Sequence, residues 1–211
     1  MVDFKDLKET YFIGEIGINH NGDMQVAKKL IDAVNACVPE HQKSVIRETP
    51  WGTMTYLDYK HRIEFGDEDF DVINNYCLEK PIDWTASVWD LDSLEFLLGY
   101  DVPFLKIPSA LITETDLVKE SARSDKPMII STGMSTLREV DDAVENVLKY
   151  NNNLVIMHTN SSYPTDQKAS LEVHAMHMLK KRCQDVDIIL GSSKKVVTES
   201  EVPIRKKLRG S

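Results

Sequence analysis

YFIGEIGINHNGD, residues 11–23, decides how the rest of the chain is read. Phe12, Ile13, Ile16 and Ile18 form an apolar run that carries one carboxylate, Glu15. The run ends in Asn19, His20, Asn21 and Gly22, and a helical pattern begins at Met24. A mostly apolar strand of this kind is one buried on both faces, as parallel strands are. A carboxylate inside it is costly to bury without a partner. The carboxyl end of a parallel strand is also where α/β folds gather ligand chemistry. Glu15 is therefore either a ligand-facing acid or the structural partner of a lysine.

Working outward, Asp23 can cap a helix over Met24–Ala36 with Val26, Leu30, Ile31 and Val34 as its buried stripe. Residues 37–66 hold no strand-like run. That span is long for a connection in a compact domain, which marks a functional loop or the scar of a lost segment. Alternation then resumes with a helix from Asp67 to about Lys80, carrying Phe70, Ile73 and Cys77 inward, and a strand over Ile82–Asp90. A helix over Leu91–Leu98, a strand over Phe104–Ser109 and a helix from about Glu114 to Arg123 follow. The next strand is Met128–Gly133, and Thr136 with Glu139 three residues later forms a capping box. Leu154–Thr159 is a strand, residues 160–165 a loop, Ala169–Cys183 a helix and Val186–Leu190 a sixth strand.

Strand–helix alternation at this spacing predicts a parallel sheet with right-handed crossovers. The fold class is α/β, a TIM-barrel-type parallel β/α fold, incomplete at about six of its eight strands. Residues 1–191 form the partial barrel and residues 192–211 a charged linker or tail. Glu15, Ser87, Lys106, Ser109, Ser131 and Ser161 then share one rim. A doubly wound open sheet is the alternative, but the chain lacks the G-x-G-x-x-G and Walker patterns that usually favour it.

Composition narrows the class. The 211 residues are 42% hydrophobic, enough for a sizeable core, and one domain is expected. A net charge of −9 leaves no basic stripe for nucleic acid, so any anionic substrate must be held by locally gathered lysines or backbone N–H groups. Three cysteines without CxxC spacing fit free thiols in a reducing, cytoplasmic setting. No export signal or membrane span is legible.

Lys106 sits in an otherwise apolar strand, and a buried lysine needs an anion. With Ser109 three residues on and Ser131-Thr132-Gly133 closing the neighbouring strand, one ammonium, two hydroxyls and backbone N–H groups could grip a phosphate or carboxylate. The competing readings are a structural Lys106–Glu15 pair and a Schiff-base amine of a barrel lyase or aldolase. His174 and His177 have a metal-compatible spacing but lie on a peripheral helix with no third ligand. His20 reads either as a ligand-directed group or as a turn stabiliser.

EIGINHNG (Glu15–Gly22), VPEHQKSVIRETPWGTMTYLDYKHRIEFG, ASVWD, KIPS, STGMST and the SSYP loop, in this order, resemble the N-acetylneuraminate synthase family. The similarity runs from about Tyr11 to Leu190 and returns in SEVPIRKKLRG. That family contains the sialic and legionaminic acid synthases, which condense phosphoenolpyruvate with an N-acetylated hexosamine. The resemblance implies that the C3 carbon of phosphoenolpyruvate attacks the open-chain sugar aldehyde, polarised by a divalent metal (Mn or Mg). Water then attacks C2 before phosphate leaves. It implies Glu15 as the catalytic group at the sugar, and Lys106, Ser109 and Ser131 as holders of phosphoenolpyruvate. Ser87 stands where relatives often have threonine, and Ser161 with Tyr163 lines the sugar and phosphate side.

Departures from the family pattern are equally specific. Relatives carry a Lys-x-Gln strand after the first helix, whereas Ala36 here runs straight into Cys37-Val38-Pro39. After Leu190 they continue through a Ser-x-His motif and an eighth strand ending in a second histidine; this chain passes from Gly191-Ser192 to SKKVVTESEVP. Both metal histidines and the C-terminal antifreeze-like domain are thus expected to be absent. The resulting expectation is a synthase of impaired activity, or a non-catalytic remnant or assembly subunit, acting as a homodimer or paired with a complete homologue.

Overall fold

The computed structural model of the chain describes residues 4–6, 11, 13–17, 20, 22–36, 65–159 and 189–193. In chain order these form α1 (Met24–Ala36), α2 (Asp67–Glu79), α3 (Leu91–Leu98), β1 (Leu105–Ile107), α4 (Thr115–Arg123), β2 (Met128–Ser131), α5 (Leu137–Leu148), β3 (Leu154–Thr159) and β4 (Ile189–Ser193). Two compact units result. One holds residues 4–6, 11, 84–159 and 189–193, the other residues 13–17, 20, 22–36 and 65–83.

The first unit is built on a parallel sheet of order β1-β2-β3-β4. Its register aligns Lys106 with Ile129, Ile129 with Val155, and Val155 with Ile189. Side chains alternate between the faces of a strand, and the two faces here have different tasks. Leu105, Ile107, Met128, Ile130, Leu154 and Ile156 pack in one cluster with Leu94 and Leu97 of α3, Leu117 and Val118 of α4, and Val140 and Val147 of α5. Burying each such side chain contributes roughly 1.5–3 kcal/mol. On the other face Phe104, Ile129 and Val155 pack with Phe4, Tyr11 and Met157. That second face is apolar toward the amino ends of the strands and gains Lys106 and Ser131 toward their carboxyl ends.

Helix starts follow local capping chemistry. Asp90 Oδ1 accepts from Ser93 N at 2.7 Å ahead of α3. Thr136 Oγ1 accepts from Glu139 N at 3.3 Å while Glu139 Oε2 accepts from Thr136 N at 2.6 Å, the reciprocal box expected before α5. In the second unit Asp23 Oδ1 accepts from Gln25 N and Val26 N, at 2.7 and 3.2 Å, and so opens α1. Ile31 is buried there with Ala27, and Val26 and Leu30 are half-buried. In α2 Cys77 is buried, and burial pushes its thiol pKa up to about 11.

Three expectations need correction. Residues 11 and 13–17 form no strand: Gly17 turns left-handed at φ 56°, and Ile13 and Glu15 are exposed. The strand expected over Ile82–Asp90 shrinks to a single parallel bridge between Ser87 and Lys106, closed by the Val88 N–H on the Lys106 carbonyl, and residues 82–86 and 89–90 carry no strand pairing. The last strand reaches Ser193 rather than stopping at Leu190, since its pairing with β3 continues through Thr159. The helix over Ala169–Cys183, the loop at 160–165, the block at 37–64 and the Val34 side chain lie outside the described residues.

Candidate functional site

In the first unit, β1 and β2 carry a polar cluster at their carboxyl ends. Ser87 and Lys106 share the parallel bridge, and Val88 N donates to Lys106 O at 3.1 Å. The same pairing brings Lys106 Nζ to 3.4 Å from Ser87 Oγ. Ser109 opens a 3-10 turn (Ser109–Leu111) immediately after β1 and Pro108. Its Oγ accepts from Gly133 N at 2.9 Å. A hydroxyl that already accepts an N–H keeps its own proton to donate, so Ser109 is set as a donor. Ser131 is only 3% exposed, and its hydroxyl has no side-chain hydrogen bond among the described residues. One ammonium and three hydroxyls therefore gather on adjoining strand ends, a donor set suited to an anionic oxygen ligand.

The loop after β2 is fixed from both sides. Thr132 donates to Met157 O twice, from N at 3.0 Å and from Oγ1 at 3.1 Å. Ser135 N reaches back to Thr132 O at 3.3 Å, and Met134 between them is left-handed at φ 63° and 77% exposed. Reading the sequence named Ser131-Thr132-Gly133 as a group. It missed that Gly133 N–H orients Ser109, and that Thr132 serves as a strut to β3. The Ser-Thr-Gly run at a strand end was the available signal.

Glu15 belongs to the second unit and is exposed, in a loop that ends in an ordered turn. There His20 O accepts from Asp23 N at 2.9 Å, and His20 Nδ1 accepts from Gly22 N at 3.1 Å. Gly22 has φ 72°, a conformation natural to glycine. The imidazole stacks on Phe65, with ring centres 4.0 Å apart, and is 7% exposed. Burial holds its pKa below the usual histidine value, opposed by the nearby Asp69 carboxylate. Of the two readings of His20, the turn-stabilising one is realised in the Nδ1 contact.

Ser161 and Tyr163, together with His174 and His177, lie outside the described residues. Among the described residues no three His, Cys, Asp or Glu side chains gather into a set that could hold a metal ion, so those residues do not fit a divalent metal. Within the same residues no helix is long and apolar enough to cross a membrane.

The described residues thus make a parallel sheet of an α/β protein, with helices on one face and a cationic, hydroxyl-rich cluster at its strand ends. The pattern of the NeuB family matches residues 27–202, and the chain belongs to that family. It is 35% identical over 203 residues to the N-acetylneuraminate-9-phosphate synthase of Drosophila melanogaster, which covers 87% of this chain and 54% of that protein. Against the N,N'-diacetyllegionaminic acid synthase of Legionella pneumophila it is 26% identical over 284 residues, covering 95% of this chain and 79% of the relative. The fold matches the spore coat polysaccharide biosynthesis protein SpsE of Bacillus subtilis with a TM-score of 0.70 and 25% identity, over 92% of this chain and 55% of the other. The N-acetylneuraminic acid synthetase of Leptospira borgpetersenii gives a TM-score of 0.73 at 24% identity, over 92% and 68%. The chain thus spans about half the length of the Drosophila relative.

Proposed function

We propose that this chain is a sialic or legionaminic acid synthase-type protein whose β1–β2 rim binds phosphoenolpyruvate, and whose turnover is impaired. The observation that carries the reading is the meeting of Lys106 Nζ with Ser87 Oγ on the sheet face that also carries Ser131. In this reading Lys106 neutralises phosphate or carboxylate charge, while Ser87, Ser109 and Ser131 donate or accept at the remaining oxygens. Glu15 acts at the acceptor sugar, an N-acetylated hexosamine, and Ser161 and Tyr163 line the sugar side. The described sheet is then the surviving part of a TIM-type barrel.

Impaired turnover is supported by the match to the Legionella synthase. It runs over 284 residues, more than the 211 of this chain, so the relative carries segments inside the matched span that have no counterpart here. No catalytic step is assigned to a metal, because the described residues offer no donor set for one. The same gaps favour a second reading, an assembly subunit that pairs with itself or with a complete homologue.

Purified protein with phosphoenolpyruvate, N-acetylmannosamine and manganese is expected to release phosphate far more slowly than a complete synthase, while calorimetry detects phosphoenolpyruvate binding. Turnover at the rate of a complete synthase sinks the impairment. Absence of phosphoenolpyruvate binding sinks the proposed grip. Light scattering separates a monomer from an assembly subunit.

A further inference from the structure

Gly133 gives its N–H to Ser109 Oγ at 2.9 Å, and that contact is only as well aimed as the peptide plane it comes from. The peptide unit joining Thr132 to Gly133 is planar, so its oxygen and its N–H turn together. Both ends are held: Thr132 O accepts from Ser135 N at 3.3 Å, and the Gly133 N–H goes to Ser109. The unit is anchored through Thr132 itself, whose N–H and hydroxyl both donate to Met157 O, at 3.0 and 3.1 Å. The N–H bond continues the ladder one step past the last register pair, Ser131 with Met157. The hydroxyl bond is additional, and it pins a β-branched side chain that is only 9% exposed. Directly afterwards the chain leaves the sheet, with Met134 left-handed at φ 63°. Thr132 is thus the last residue tied to the sheet before the loop begins.

We propose that Thr132 is a positioning residue for anion binding: its hydroxyl bond to the Met157 carbonyl holds the Gly133 N–H on Ser109, and this sets the direction in which the Ser109 hydroxyl donates to the ligand. Gly133 is buried whereas Ser109 is half-buried, so a ligand meets the hydroxyl and not the amide behind it. A hydroxyl whose lone pair is taken by an amide turns its proton away from that amide, and the chain of bonds strengthens its donation. β3 thereby enters the grip through a backbone carbonyl, and Thr132 acts through Ser109 rather than on the ligand. The assignment rests on the synthase reading above for the identity of that ligand, phosphoenolpyruvate.

A double-mutant cycle separates positioning from simple support of the strand end. Thr132→Val keeps the shape and the N–H bond to Met157 but removes the hydroxyl; Thr132→Ser keeps the hydroxyl. Each is made in the full chain, with Ser109 intact and with Ser109→Ala. Calorimetry measures phosphoenolpyruvate binding, and thermal melting confirms that each variant is folded. Nitrogen-15 NMR of the Gly133 amide in wild type supplies a readout that needs no variant.

The expected result is phosphoenolpyruvate affinity about fivefold weaker in Thr132→Val, and within about twofold of wild type in Thr132→Ser. With Ser109→Ala already present, Thr132→Val should weaken binding by no more than about 1.5-fold further. The Gly133 amide signal should move when phosphoenolpyruvate is added. Equal weakening by Thr132→Val in both backgrounds, no weakening at all, a Thr132→Ser as weak as Thr132→Val, or a Gly133 signal indifferent to phosphoenolpyruvate each overturns the role of Thr132 and leaves the synthase reading standing. Wild-type protein that does not bind phosphoenolpyruvate overturns both.

Discussion

Ser87 and Lys106 are joined twice, through a backbone bridge and through a 3.4 Å contact between Oγ and Nζ. The bridge sets the height of Ser87 beside β1, and the side-chain contact aims the ammonium along the same edge. Lys106→Met keeps most of the aliphatic stem and removes the charge. It is expected to leave the melting temperature nearly unchanged and to weaken phosphoenolpyruvate binding by about 10- to 100-fold, the range of one charge-assisted hydrogen bond. Ser87→Ala, which spares the ammonium, should cost about tenfold or less. Calorimetric titration of both variants checks the ranking, and a reversed order removes Lys106 from the centre of the grip.

The α5 start offers a test of the fold alone. Thr136 Oγ1 and Glu139 Oε2 satisfy each other's backbone N–H groups. Thr136→Ala is expected to cost about 1 kcal/mol, read from urea unfolding. The Thr136 N–H and hydroxyl beside Glu139 hold its carboxyl below the usual value. With the folded pKa depressed, the contribution is complete above the unfolded pKa and disappears as the pH falls through the folded one. The difference between wild type and Glu139→Gln should therefore shrink in acid. A difference that is unchanged at acidic pH contradicts the linkage.

How much of this was readable from the residues alone depended on range. Helix starts were legible because Asp23 and Thr136 cap through contacts two to three residues away. The strands β1, β2 and β3 were legible as apolar runs between helical periods. The stretch at residues 11–18 misled, because its apolar composition suits a buried strand while Gly14 and Gly17 permit the chain to turn, as it does at Gly17. Pairing between distant segments left no local trace. Lys126 Nζ reaches Asp101 and the Val102 carbonyl, and Asn151 Nδ2 reaches the Lys126 carbonyl at 2.6 Å, so these three tie the amino ends of the strands together. Ser131 was named for its place at a strand end, but its unshared hydroxyl emerges only with the register.

Met134 carries a cost that can be removed. A side chain at φ 63° is strained by roughly 1–2 kcal/mol relative to glycine, and at 77% exposure Met134 has little packing to offset that. Glycine gives back part of the gain through its more mobile unfolded chain. Met134→Gly is expected to stabilise the protein by up to about 1 kcal/mol, and Met134→Val, β-branched and harder to hold left-handed, to destabilise it. Urea unfolding of the pair measures both signs. A glycine variant less stable than wild type means that the Met134 side chain makes a contribution outweighing its backbone strain.

His20 should make the second unit sensitive to mild acid. Burial lowers its pKa below 6.5, the Asp69 carboxylate on α2 opposes that shift, and the Nδ1 lone pair is occupied by Gly22 N–H. Asp23, the residue after Gly22 in the same turn, spends its own carboxylate on the α1 backbone. In the unfolded chain His20 titrates near 6.5. As the pH falls from there, the unfolded state takes up its proton before the folded state does, so stability is full above about 6.5 and declines toward the folded pKa. Below that value no further loss from this group is expected. An NMR titration should place the His20 midpoint below 6.5, and urea unfolding at pH values on either side should show a slope that His20→Asn lacks. Protonation puts a second donor against Gly22 N–H, so the turn's own amide signal should shift with the same midpoint. A midpoint at or above the ordinary histidine value would mean that Asp69 outweighs burial, and the acid sensitivity would then run in the opposite direction.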